Sequence, residues 1–162
     1  MGATLRHRGP DAGGRQWSCP CGLTHQRLSI IDLSPAGRQP MANEDETVWI
    51  AYNGEVYNFC DLRTRFALDR GHRFRSRTDT EVIVHLYEEL GIDCLRELNG
   101  MYAFALWDGR SQTLHLARDP FGIKPLYTAA VKGGLAFASE PSALLESGLV
   151  ARGVRPQARA EL

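Results

Sequence analysis

The sequence of 162 residues has no excess of charge of either sign, because Lys and Arg together number 19 and Asp and Glu together also number 19. A neutral chain offers no general electrostatic attraction to nucleic acid or to an anionic membrane surface. It also has no apolar run long enough to cross a bilayer, and no apolar signal-peptide core follows Met1. We therefore expect a cytoplasmic protein whose partners include neither nucleic acid nor a membrane.

Cysteine is scarce, and its spacing does not suit zinc. The four cysteines are Cys19, Cys21, Cys60 and Cys94. Cys19 and Cys21 form a C-x-C pair, but no second Cys or His pair stands at a zinc-binding spacing. In a cytoplasmic protein unpaired thiols are more common than disulfides. We expect four free thiols and no metal site.

What the sequence does contain is the composition of one soluble domain, with 43% hydrophobic and 23% charged residues. The apolar patterns come in the order strands, helices, strands, which predicts an α+β fold with mainly antiparallel sheets. Strands are predicted over residues 23–31, 48–52, 101–107, 113–117, 126–131 and 135–138. Residues 1–18 are rich in polar residues and glycine and predict no element.

Two helices are predicted in the middle of the chain. Leu62 and Phe66 stand four residues apart, and Gly71 provides a stop. The second helix has a clearer apolar stripe, capped by Thr78 and Glu81 and ended by Gly91. Its stripe residues are Val82, Ile83, Leu86, Tyr87 and Leu90. His85 falls between them and is predicted to be partly exposed. Short helices are predicted at 92–98 and 142–146.

The dipeptide Asn53-Gly54 directly follows the predicted strand 48–52. Both residue types tolerate positive φ, so the pair usually indicates a tight hairpin turn. No second alternating strand follows here. The pair is instead followed by Glu55, Asn58 and a helical pattern, so a turn alone does not account for it.

Seven stretches, taken in order, resemble the class II glutamine amidotransferases and, among them, the N-terminal glutaminase domain of asparagine synthetase. They are RHRGPD (6–11), THQRLSIIDLS (24–34), AYNGEVYN (51–58), SRTDTEVI (76–83), LNGMYAFALWD (98–108), RDPFGIKPLY (118–127) and FASE (137–140). Each is weak alone, but together they extend over nearly the whole chain to about residue 149. The resemblance implies an amidotransferase domain over residues 1–150 and a linker or frayed tail over 151–162.

The resemblance also implies a fold and an activity. The fold is an αββα sandwich of two mainly antiparallel sheets flanked by helices, of the N-terminal nucleophile (Ntn) hydrolase type. The activity is hydrolysis of glutamine to glutamate and ammonia, with ammonia passed to a synthetase domain in cis. That second domain would use ATP and Mg²⁺ to activate aspartate, whereas the glutaminase domain itself needs no cofactor. The resemblance also leaves open an assembly of several copies of the chain into a homo-oligomer.

The site residues implied by the resemblance come from three of the motifs. Asn53 and the backbone N–H of Gly54 match the donors of the oxyanion hole. Such donors must be held in fixed positions to stabilise the negative charge that develops on the amide oxygen during hydrolysis. Arg27 matches the arginine that binds the glutamine carboxylate, for which a planar fork is suited. Asp79 and Glu55 match the acids that hold the ammonium group. The backbone of residues Leu28, Ser29, Ile30 and Ile31 would line the pocket.

Alternatives remain open for these residues. Asn53-Gly54 can be a plain turn, Arg27 a surface arginine, and Asp79 an acid favoured by the helix dipole. The family's Cys-Gly-Ile start, with its nucleophilic cysteine and first strand, is not in the printed sequence. The chain is therefore expected to be inactive alone. It can also be a non-catalytic glutamine-binding or scaffolding module, or belong to a glucosamine-phosphate synthase or amidophosphoribosyltransferase.

Overall fold

A computed structural model describes residues 1–153 of the chain, and most of the predicted tail over 151–162 lies outside the described residues. The described part contains eight strands and three α-helices, with short 3₁₀ turns between them. The strands are β1 (Ala12–Ser18), β2 (Cys21–Arg27), β3 (Met41–Ala42), β4 (Val48–Val56), β5 (Gly100–Asp108), β6 (Thr113–Arg118), β7 (Tyr127–Val131) and β8 (Gly134–Ala138). The helices are α1 (Phe59–Arg65), α2 (Asp79–Leu90) and α3 (Pro141–Leu145).

The centre of the molecule is a four-stranded antiparallel sheet in the order β3-β4-β5-β6. Its longest pairing joins β4 to β5, from Val48 opposite Asp108 to Val56 opposite Gly100. Alternate residues of each strand face opposite sides, so Val48, Ile50 and Val56 lie on one face of β4. This face packs with β5, α1 and α2 into the main core, which includes Ile50, Leu86 and Phe104.

Helix α2 begins where the sequence predicts. The Thr78 hydroxyl accepts a hydrogen bond from the Glu81 backbone N–H, which is the first half of a capping box. The second half differs, because the Glu81 carboxylate accepts from the backbone N–H groups of Arg75 and Ser76. Glu81 therefore anchors the extended segment that leads into the helix.

The other face of the sheet carries a second layer of strands. Cys21 and Leu23 of β2 pack on Ala105 and Trp107 of β5, and Phe137 of β8 joins this cluster. The opposite side of the β7–β8 hairpin packs on α3 and on the 3₁₀ turn at Gly2–Leu5. From one side of the molecule to the other, the layers are α1 and α2, the four-stranded sheet, the two hairpins, and α3. It is compatible with a sandwich of antiparallel sheets, with the second sheet divided into two hairpins.

Several predicted boundaries were wrong for local reasons. Residues 12–18 form β1, although Gly13 and Gly14 give no apolar alternation, and the predicted strand 23–31 ends at Arg27. The strand predicted over 48–52 continues to Val56, so Asn53-Gly54 lies inside β4 and not in a turn. The short helix predicted over 92–98 is a 3₁₀ turn at Gly91–Arg96, and the one predicted over 142–146 is α3. Among the described residues, no helix has the length and apolar character needed to cross a membrane.

The position predicted for His85 was also wrong. Its side chain is 1% exposed, not partly exposed. Every residue of α2 from Asp79 to Tyr87 is buried, because the segments before β4 and before α2 cover the side of the helix that faces away from the sheet. An apolar stripe identifies the side of a helix that faces a sheet, and it does not show whether other segments cover the rest.

Candidate functional site

One edge of β4 is completed by side chains. Strand β3 pairs only with Trp49 and Ile50, so it does not reach the second half of β4. Beyond it, the Tyr52 N–H donates to Gln39 Oε1 at 2.7 Å, and the Tyr52 carbonyl accepts from His25 Nε2 at 2.9 Å. The Val56 N–H donates to Asp79 Oδ2 at 2.9 Å. Side chains from three other segments thus take the place of a neighbouring strand.

Gly54 lies on the same edge, midway between Tyr52 and Val56. The alternation of an antiparallel ladder directs its N–H away from β5, toward this edge. Among residues 1–153, no acceptor is bonded to that N–H. The side chains of Asn53 and Glu55 likewise form no hydrogen bond to any described residue, and Asn53 is exposed. We call Asn53, Gly54 and Glu55 the NGE strip; its polar groups are available to a ligand.

Gly54 also has a packing role. A Cβ atom there would lie 2.7 Å from Tyr102 Cα and closer still to the Met101 carbonyl. Such contacts are shorter than real side chains adopt, so β4 and β5 can approach this closely only with glycine. The close approach of β4 and β5 is therefore enough to account for the glycine.

Asp79 occupies the first position of α2 and joins the helix to β4. Its Oδ2 accepts from the Tyr52 hydroxyl at 2.7 Å as well as from the Val56 N–H, and its Oδ1 accepts from the Thr80 N–H at 2.9 Å. The residue is 4% exposed. A carboxylate has about four acceptor positions, so one position on Oδ1 remains for another donor.

Arg27, at the end of β2, is buried rather than exposed on the surface. Its guanidinium donates to the carbonyl of Ser34 at 2.8 Å and to that of Asp32, and so holds the loop that follows. A Cβ on Gly37 would collide with the guanidinium and lie 3.1 Å from Thr78 Cγ2. Arg27 therefore lies beside the N-terminus of α2, which Asp79 also occupies.

The residues of the loop 28–31 differ in whether they line a cleft or face solvent. Arg27 and Ser29 line a cleft of about 470 Å³ together with Asp11 and Leu33. Leu28, Ile30 and Ile31 are exposed, with 55%, 70% and 40% of their surface accessible. The NGE strip and Asp79 do not line this cleft. The structure thus brings Arg27 and Asp79 to the start of α2 and joins Asp79 to β4, but it does not enclose all the predicted residues in one cleft.

Three further residues at this edge were not predicted from the sequence: His25, Gln39 and Tyr52. Burial lowers the pKa of His25 to about 4, so the ring is neutral, and its Nε2 donates to Tyr52 while Nδ1 has no partner among the described residues. Burial, followed by the nearby Asp79 carboxylate, raises the pKa of Tyr52, so its hydroxyl remains a donor. For His25 and Tyr52 the only signal was their place in the motifs THQRLS and AYNGEVYN, whereas Gln39 lies outside all seven stretches.

None of the four cysteines belongs to this edge. All are free thiols. Burial raises the pKa of Cys21, and it raises the pKa of Cys94 to about 12. A group of metal-ligating side chains does occur in the described part of the chain, but it surrounds the C-terminal half of α2.

Taken together, the fold and the edge define an α+β protein with antiparallel sheets and a strip of unpaired polar groups, among the described residues, beside a helix N-terminus. A family described as "Glutamine amidotransferase domain" matches residues 1–162. The chain belongs to this family.

Sequence relatives agree with that assignment. The chain is 48% identical over 141 residues to "Asparagine synthetase [glutamine-hydrolyzing] 2" of Arabidopsis thaliana, covering 86% of the chain and 24% of that protein. It is 41% identical over 145 residues to "Asparagine synthetase [glutamine-hydrolyzing] 1" of Bacillus subtilis (strain 168), covering 90% of the chain and 23% of that protein. The chain thus spans about a quarter of the length of these relatives.

Proposed function

We propose that this chain is the glutaminase part of an asparagine synthetase-like amidotransferase of the Ntn-hydrolase type. The complete protein would hydrolyse glutamine to glutamate and ammonia, and a synthetase domain in cis would use the ammonia for ATP- and Mg²⁺-dependent asparagine synthesis. The observation that carries the proposal is the NGE strip, in which three consecutive residues have polar groups without partners among the described residues while their neighbours Tyr52 and Val56 are paired.

The strip provides the groups that amide hydrolysis requires. Attack on the glutamine amide builds negative charge on its oxygen, and this oxyanion would be received by the Asn53 side-chain amide and the Gly54 N–H. The Glu55 carboxylate and the remaining acceptor position of Asp79 would receive the ammonium group. Arg27 would bind the α-carboxylate after exchanging one of its loop carbonyls for the ligand.

The nucleophile in this proposal is the N-terminal cysteine of the family, whose own α-amine acts as base. Cys21 and Cys94 are too buried to supply a thiolate, and Cys19 and Cys60 lie in the β1–β2 turn and in α1. We therefore propose no catalytic role for these four thiols and expect the chain to bind glutamine.

The relatives support one acceptor reaction over the others. Those compared are named asparagine synthetases, which favours aspartate over the acceptors of glucosamine-phosphate synthase and amidophosphoribosyltransferase. A non-catalytic glutamine-binding or scaffolding role would use the same strip. It differs in one respect, since a complete protein with that role would bind glutamine and release no glutamate.

Calorimetry of this chain with L-glutamine tests the binding part. We expect saturable heat with L-glutamine and none with D-glutamine, because the carboxylate and ammonium partners have fixed positions. Glu55→Gln should weaken binding about tenfold, the effect of losing one charged hydrogen bond. Asp93→Asn, which changes an exposed acid paired with Arg96, is the matched control. Equal affinity in both variants would exclude Glu55 from the site.

An assay of the complete protein tests the reaction. Glutamate release from glutamine, with asparagine formed when ATP and aspartate are added, is the expected result. Glutamine binding without glutamate release would favour the non-catalytic role. Glutamate release with no asparagine formed in the presence of ATP and aspartate would point to another acceptor.

A further inference from the structure

Two histidines and two glutamates converge beside the C-terminal half of α2. Glu44 follows β3, His72 precedes α2, and His85 and Glu88 lie one turn apart on the helix. Each offers one nitrogen or oxygen ligand atom, and the four atoms all lie within 4.8 Å of one another. Three separate segments of the chain therefore contribute to one small volume.

The separations of these atoms suit a tetrahedral ion. His85 Nδ1 lies 2.9 Å from Glu88 Oε2, and His72 Nδ1 lies 3.5 Å from the same oxygen. Each Nδ1 lies 3.8 Å from an oxygen of Glu44. In a tetrahedral zinc site with bonds of about 2.0–2.1 Å, neighbouring ligand atoms are about 3.4 Å apart. All four of these separations lie within about 0.5 Å of that value, with one oxygen of Glu44 facing each ring.

Neighbouring groups orient the ligands. His72 Nε2 lies 2.9 Å from a Glu89 oxygen, which can only accept, so the Nε2 proton is fixed and a lone pair remains on Nδ1. The Asn43 amide donates to Glu88 Oε1 at 2.7 Å and leaves Oε2 for the cluster. A carboxylate that holds the outer nitrogen of a ligating histidine is the usual second layer of a metal site.

His85 gives an independent indication. Its ring is 1% exposed, and Nε2 has no hydrogen-bond partner among the described residues. Nε2 lies 3.9 Å from Glu81 Oε1. With a cation on Nδ1, the proton of the neutral ring resides on Nε2 and faces this carboxylate, at a longer distance than the 2.9 Å between His72 Nε2 and Glu89.

We propose that Glu44, His72, His85 and Glu88 form a binding site for a divalent transition-metal ion of the zinc class. Imidazole nitrogen with carboxylate oxygen favours such an ion over Mg²⁺ or Ca²⁺, which prefer oxygen ligands. Four protein ligands leave no open position for a substrate, so the role is structural. The ion would fix α2, whose first residue is Asp79, to the segments that follow β3 and precede the helix.

Metal titration of the full chain, first stripped with a chelator, tests the proposal. We expect one Zn²⁺ per chain by elemental analysis, a higher melting temperature with Zn²⁺ than without, and with Co²⁺ the intense visible absorption of a tetrahedral site. Mg²⁺ at the same concentration should leave the melting temperature unchanged. Binding of Zn²⁺ at much less than one ion per chain would overturn the proposal.

Variants separate this site from other histidines and thiols. Glu44→Gln and His72→Gln should weaken Zn²⁺ binding at least about tenfold; both are closer to the surface than His85, whose ring is buried. His7→Gln, at an exposed histidine paired with Glu140, and the double variant Cys19→Ser/Cys60→Ser should bind as the parent chain does. Unchanged affinity in both Glu44→Gln and His72→Gln would show that the ion binds elsewhere. If Glu44→Gln alone stays folded, its affinity decides the matter.

Discussion

Two asparagines five positions apart have different surroundings. Asn58 is tied into the protein, since its Nδ2 donates to the Glu97 carbonyl at 2.9 Å and its Oδ1 accepts from the Asn99 N–H at 3.0 Å. Asn53 is exposed and has no such partner among the described residues. A structural role therefore belongs to Asn58, and a ligand-binding role is open to Asn53.

This contrast predicts opposite phenotypes in the complete protein. Asn53→Ala should lower kcat for glutamine hydrolysis by about 10²–10³ because one oxyanion donor is lost, with an unchanged melting temperature. Asn58→Ala should lower the free energy of unfolding by about 1–3 kcal/mol, because two hydrogen bonds to the backbone are lost, with little change in kcat. Steady-state kinetics and thermal melts of both variants check this. A normal kcat in Asn53→Ala would remove it from the oxyanion hole.

His25 predicts a dependence of stability on pH. Burial lowers its pKa to about 4 in the folded chain, whereas the value in an unfolded chain is about 6.5. Between these values the unfolded state binds more protons, so His25 makes stability fall as the pH falls, by up to about 1.4 kcal/mol per pH unit.

The comparison of the parent chain with His25→Gln isolates this effect. Glutamine can still donate to the Tyr52 carbonyl and does not titrate. In urea denaturation, the stability lost between pH 6.5 and pH 5 should be smaller in His25→Gln than in the parent. Equal losses would mean that the His25 ring is protonated in the folded protein at these pH values.

The pairing of β4 with β5 depends on Gly54. In Gly54→Ala the new Cβ would meet the backbone of Met101 and Tyr102, and overpacking of this kind costs about 1–3 kcal/mol. Gly71→Ala is the control, since its Cβ would lie 3.7 Å from a flexible Glu89 oxygen, and removing a glycine there should stabilise by up to about 1 kcal/mol. Urea denaturation measures both. An unchanged stability in Gly54→Ala would show that the strands can separate without penalty.

The elements with a strong apolar pattern were predictable from the sequence, and those without one were not. Strand β5 and helix α2 agree with their predicted limits within a residue or two. Strand β1 was missed because Gly14 has no side chain to show a pattern. A glycine is required at this position because the Gln39 carbonyl approaches the Gly14 backbone too closely for a Cβ. Such approaches depend on tertiary contacts that a local pattern does not contain.

The candidate site was predictable only in part, because it too depends on tertiary contacts that a local pattern does not contain. Asn53, Gly54, Glu55, Asp79 and Arg27 were chosen from motifs that resemble a family. The contacts of Gln39, His25 and Asp79 with the β4 backbone depend on β3 ending early, which no local pattern indicates. The cluster around His85 was missed because its four residues come from three segments, so no ligand spacing appears in the sequence.

The two sides of the molecule have cores of different strength. The main core buries large side chains between the four-stranded sheet and α2, among them Ile50, Phe104 and Leu106, all at most 2% exposed. The core between the β7–β8 hairpin and α3 consists of three buried alanines and Leu144. Because hydrophobic stabilisation follows the apolar area buried, the hairpin side contributes less to stability. Regions with few buried apolar contacts open first.

Native-state hydrogen exchange should therefore resolve two opening reactions with different free energies. Amides of β7 and β8 should exchange through an opening of lower free energy than those of β4 and β5. Leu144→Ala, a truncation that costs about 2–5 kcal/mol where a leucine is buried, should lower the opening free energy of the hairpin and leave that of β4 and β5 nearly unchanged. Leu149→Ala, at a leucine that is 61% exposed, should change neither. If Leu144→Ala lowered protection equally in β5 and β8, the two sides would unfold as one cooperative unit, and the hairpin would have to be counted as part of the main core.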